Sequence, residues 1–128
     1  MEPQLKAIWD VIDKKVSAWE SLMSPMCDLV NEYIQLVGST SEQFNENMVQ
    51  PLHKFEVIVQ QYIDKLRADT IEIQNTNDLV KKEKYLSLLK EYSQEEANKI
   101  EDYITEIMEK DSKAIRKIST ICHMIFEL

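Results

Sequence analysis

A chain of 128 residues with one glycine and three prolines has almost nothing with which to build the tight turns of a sheet protein. Its formal charge of −8 argues against nucleic-acid binding, which needs clustered lysine and arginine, and against a generic polybasic membrane clamp. What remains is an all-α chain of long helices with few connections, folded as one domain over 1–128 that removes roughly two thirds of the unfolded surface from water.

Leu5, Trp9, Ile12, Val16, Trp19, Met23, Met26, Val30, Tyr33 and Val37 are spaced alternately four and three apart, the coiled-coil period. The spacing predicts a helix that starts near Pro3 or Gln4, where a missing amide hydrogen is tolerated, and ends at Gly38, a favourable residue just past a helix end. Pro25 interrupts this span. Ser24-Pro25 either caps a new helix or bends a continuing one, and the unbroken register of Met23, Met26 and Val30 favours a single bent helix.

Ser39-Thr40-Ser41 supplies cap candidates for a second helix, with Glu42 where negative charge suits the helix dipole. Its seam is Met48, Leu52, Phe55, Val59, Tyr62, Leu66 and Ile73, with Asp69 as a polar interruption and a bend expected at Pro51. Val49, Ile58 and Ile63 widen the stripe, so this helix should touch more than one neighbour. The polar run Gln74-Asn75-Thr76-Asn77 ends it, and Asn77 or Asp78 can cap the third helix.

The third helix opens with Leu79, Val80, Tyr85, Leu86, Leu89 and Tyr92 on its apolar side. Ser93-Gln94-Glu95-Glu96 then matches a capping box, so a fresh helix could start there. The alternative is one continuous helix whose later seam of Ala97, Ile100, Ile104, Ile107, Ala114, Ile118, Ile121 and Ile125 is offset from the earlier one. Continuity is favoured, and the expected architecture is an antiparallel bundle of three long, bent helices with coiled-coil-like packing.

The first two helices would each be about 50 Å long and the third about 70 Å, so the third outruns its partners at the end holding Gly38. Its last stretch carries Ile118, Ile121, Cys122, Met124, Ile125 and Phe126, which point in nearly every direction. A second copy of the chain is the economical cover, giving a homodimer. The competing expectation is a tail folded back onto its own bundle.

Nine basic side chains stand against eight acidic ones in residues 1–15 and 62–90, so the far end of the rod is less acidic than the rest. Lys81, Lys82 and Lys84 form a compact basic run at a turn, suited to anionic head groups or an acidic partner, or else simply to solvent. Lys110, Lys113, Arg116 and Lys117 make a second stripe, which salt bridges to a neighbouring chain would explain.

Chemistry-bearing clusters are not apparent. His53 and His123 lack the companions of a helical metal site, and Cys27 and Cys122 lie in no C-x-x-C pair, which suits reduced thiols in the cytoplasm. No nucleophile-and-base constellation can be assembled and no phosphate loop is possible with one glycine, so no catalysis and no cofactor are expected. The start lacks a basic and then apolar leader, and no apolar stretch approaches the roughly 20 residues that span a bilayer.

Two segments carry a resemblance. Met48-Val49-Gln50-Pro51-Leu52-His53-Lys54-Phe55 is similar to the Pro-Leu-x-x-Phe pattern that opens the second helix of the BAR-domain superfamily, including its sorting-nexin relatives. The stretch from Ile100 to Ile118, through Tyr103, Ile107, Lys110 and Arg116, is similar to the aromatic, charged and apolar rhythm late in that family's third helix. The resemblance implies a crescent-shaped homodimer that meets anionic membranes in trafficking or membrane remodelling. Lys81, Lys82 and Lys84 would be tip contacts, with Lys65 and Arg67 just behind them. The alternative is an adaptor or complex subunit that accepts another protein's helix without binding membranes.

Overall fold

A computed structural model describes residues 2–38 and 42–126, with the side chains at 43, 47, 110–119, 121–123, 125 and 126 left out of the description. Every described element is helical: α1 (Pro3–Val37), a short α2 (Glu42–Phe44), one π-helical turn (Asn45–Val49), α3 (Gln50–Gln74) and α4 (Leu79–Phe126). The cap candidates Ser39, Thr40 and Ser41 lie outside the described residues.

α1 runs unbroken through Pro25. Pro25 sits on the exposed side, so the Ser21 carbonyl that it cannot bond faces water rather than the core. Gly38 ends the helix at φ 78°, a left-handed conformation that lets its N–H reach the Ile34 carbonyl at 2.8 Å. At the other turn, the Asp78 carboxylate accepts from the backbone N–H groups of Val80 at 3.0 Å and Lys81 at 3.4 Å, capping α4.

The π turn replaces the simple bend expected at Pro51. A proline ring crowds the carbonyl four residues earlier, and here the preceding turn widens so that the Gln50 N–H bonds back to Asn45.

Each long helix buries one stripe: Leu5, Ile12, Val16, Trp19, Met23, Met26 and Val30 from α1; Leu52, Phe55, Val59, Tyr62, Leu66 and Ile73 from α3; Leu86, Leu89, Ala97, Ile100, Ile104 and Ile107 from α4. Met48 joins them from the π turn. Fully burying one such large side chain is worth about 1.5–3 kcal/mol, so these stripes dominate the stability of the bundle.

α4 passes through Ser93 without a break, which settles the capping-box alternative against a new helix. Ser93 is itself buried, its hydroxyl donating to the Lys90 carbonyl at 2.8 Å instead of capping an amide. It fills the seam between Leu89 and Ala97, so the two apolar runs join in one continuous stripe whose register slips at this point, as the offset of the later seam implies. Thr70 does the same on α3 between Leu66 and Ile73, past the interruption at Asp69. Both places carry a four-four-three spacing, which locally straightens a coiled-coil seam.

These two polar residues also tie the helices together. The Trp9 indole N–H donates to Thr70 Oγ1 at 2.9 Å, and the Tyr62 hydroxyl donates to the Ser93 carbonyl at 2.9 Å. The Tyr62 ring lies 5.8 Å from that of Trp19, whose N–H reaches Glu101 at 3.4 Å. Farther along, the Tyr103 hydroxyl donates to the Pro51 carbonyl at 3.1 Å. Between α1 and α4 the paired positions rise together, Glu2 with Lys82 and Lys15 with Glu101. Between α3 and α4 they run in opposite order, Tyr62 with Ser93 and Pro51 with Tyr103. Among the described residues no buried side-chain nitrogen or oxygen lacks a hydrogen bond.

Candidate functional site

The α3–α4 turn is where the expected basic residues gather, and the structure sorts them. Lys81 and Lys84 are exposed, while Lys82 turns back to an ion pair with Glu2. Lys65 is occupied too: its ammonium lies 2.9 Å from the Asp69 carboxylate and 5.6 Å from the centre of the Tyr92 ring. The hydrogen bond to Asp69 is the main cause of an upward pKa shift at Lys65, which stays cationic. Arg67 is exposed on the same stretch of α3. Tyr92 lies ten positions past Lys82 along α4, so Lys65 beside it stands about 15 Å behind the tip.

At the tip itself are two residues expected to be on the seam. Leu79 and Val80 are 75% and 77% exposed, the highest values among the large apolar side chains described. Leu79 lies one heptad before Leu86, so its register is correct. What is missing is a neighbour, because Glu2 at the start of α1 is level with Lys82 and nothing of α1 reaches back to Leu79. The tip therefore presents an apolar pair flanked by Lys81 and Lys84, with Ile71 58% exposed on α3 nearby. The sequence signal was the acidic cap at Asp78, which starts the helix at the very edge of the bundle.

A second surface is a groove of about 590 Å³ between α1 and α4, lined by Ala7, Ile8 and Val11 on one side and Leu86, Ser87 and Lys90 on the other. The ion pairs Glu2 with Lys82 and Lys15 with Glu101 cross between the helices at its two ends. A smaller groove between α3 and α4 holds Tyr85, Leu88 and Tyr92 beside the Lys65 and Asp69 pair.

Of the expected pairing residues, Ile118, Ile121, Cys122, Ile125 and Phe126 lie outside the described side chains, and Met124 is 62% exposed. The α4 backbone that carries them is helical to Phe126.

Cys27 is half-buried, and burial together with Glu56 and Asp28 pushes its thiol pKa up, which keeps it protonated and unreactive at neutral pH. His53 is exposed. Among the described residues no three histidine, cysteine or acidic side chains come together as metal ligands, and no helix is long and apolar enough to cross a membrane. Comparison with protein-family models, curated proteins and solved structures returns no match for this chain.

Proposed function

We propose that this chain is a non-enzymatic helical scaffold, a BAR-like homodimer of antiparallel three-helix bundles that associates peripherally with cytoplasmic membrane surfaces in trafficking or membrane remodelling. The observation that carries the reading is the tip: Leu79 and Val80 are three-quarters exposed at the start of α4, next to the exposed Lys81 and Lys84. A planar interface can take up such a point, whereas a helix packed along the bundle cannot cover it. Inserting two side chains that are three-quarters exposed is worth roughly 2–4 kcal/mol, and each lysine near an anionic surface about 1 kcal/mol. One tip thus supports binding in roughly the millimolar to tens-of-micromolar range, and two tips joined in a dimer supply the avidity.

Co-sedimentation with vesicles containing phosphatidylserine tests the reading. The native chain is expected to pellet at low salt, and the double variant Leu79→Ser, Val80→Ser to stay in solution with unchanged thermal stability. Equal pelleting of both, or of neither, removes the membrane role.

The groove between α1 and α4 favours a second reading, an interaction module that accepts a helix from another protein. A monomeric chain that ignores vesicles would leave this one standing.

A further inference from the structure

We infer that two copies lie side by side in opposite directions, each laying the C-terminal overhang of its α4 into the groove between α1 and α4 of the other. This rests on the homodimer proposed above and specifies which surfaces meet.

The groove has the form of a docking slot. Ala7 and Ser87 are small enough to let another helix approach, and Val11 at 52% exposure is an apolar side chain on offer. The same side of the two helices continues as Ala18, Leu22 and Met108, with Leu22 49% and Met108 42% exposed. The apolar strip therefore runs beyond the groove toward the middle of the bundle, where the neighbouring copy would lie.

Length supplies the match. α1 has 35 residues and α4 has 48, and the pairing of Glu2 with Lys82 starts them almost level. α4 starts four residues ahead of α1 on that pairing, so nine of its thirteen extra residues (48 − 35 = 13) fall at the C-terminal end, about 14 Å. The α4 wall of the groove, from Glu83 to Gln94, is about 17 Å long on the same scale. With the copies reversed, each overhang falls beside the other's groove. The two contacts are then identical and the assembly closes with two members.

Ile118, Ile121 and Ile125 recur at seam spacing in the overhang, the stripe of a helix that packs along a neighbour.

A nitroxide label on Cys122 of a Cys27→Ala chain, mixed with unlabelled-cysteine copies enriched in ¹⁵N, tests the exchange. Broadening of the Ala7, Val11, Ser87 and Lys90 amides is expected in the mixed dimer. A dimer whose broadening falls only at positions 118–126 would be joined end to end, which overturns the exchange and leaves the homodimer intact. A monomer at every concentration sinks both. Should the label itself lower the mass, Glu127→Cys in a chain lacking both native cysteines carries it instead. Independently, Ser87→Trp fills the groove and should weaken self-association at least tenfold with helix content unchanged. Undiminished association of that variant refutes the docking.

Discussion

Tyr62 offers a stability test in which the sign of the effect reverses with pH. The side chain is 4% exposed, its hydroxyl donates to the Ser93 carbonyl, and burial is the first cause raising its pKa from 10.0 to about 12, with Tyr92, Glu101 and Glu96 adding to it. Replacing it by Phe removes one buried hydrogen bond, so at pH 7 the variant should be less stable by about 1 kcal/mol. Because the folded pKa lies above the unfolded one, the native tyrosine's contribution is complete below about pH 10 and is lost as pH rises toward 12. The loss reaches roughly 1.4 kcal/mol at pH 11, and about 2–3 kcal/mol once pH exceeds the folded value. Phe has no proton to lose. The difference between native and Tyr62→Phe should therefore shrink above pH 10, cross zero near pH 11 and then favour the variant. Urea unfolding followed by circular dichroism between pH 7 and 12 measures it, and ionising groups remote from Tyr62 cancel in the difference. A difference that stays constant over this range would refute both the buried hydroxyl and its role in joining α3 to α4.

Other substitutions probe separate parts of the bundle. Leu66, with no exposed surface, should cost about 2–5 kcal/mol when changed to Ala, measured as a fall in the urea midpoint. Thr70→Val leaves the Trp9 indole N–H without its acceptor and should cost about 1–2 kcal/mol, with a shift in tryptophan emission. Ser93→Ala removes a hydroxyl that only bonds back to its own helix. It should raise the melting temperature or leave it level, whereas a helix start at this residue would make the same change destabilising. Lys82→Ala breaks the surface pair with Glu2 and should change stability by less than about 1 kcal/mol, with the effect fading in high salt.

Helix content, the burial of α1 along its four-three seam, the stop at Gly38 and the cap at Asp78 were all legible in the residues, because each depends on neighbours a few positions away. Ser93 misled for a physical reason. A hydroxyl that satisfies itself on its own helix can sit in a core seam, yet in sequence it has the appearance of a cap. Asp69 seemed to break the α3 stripe because the neighbouring Thr70 holds the buried place, hydrogen-bonded to Leu66 and Trp9.

The candidate surfaces were less legible. Leu79 is in register with Leu86, and no local pattern could show that α1 starts too late to cover it. Lys65 and Lys82 have the composition of membrane contacts, but their engagement with Asp69 and Glu2 follows from where the helices lie against one another. Periodicity fixed which side of each helix is apolar, since that is set by 3.6 residues per turn within one helix. Which apolar residues remain uncovered was decided only by the tertiary structure, because exposure depends on the lengths and offsets of neighbouring helices.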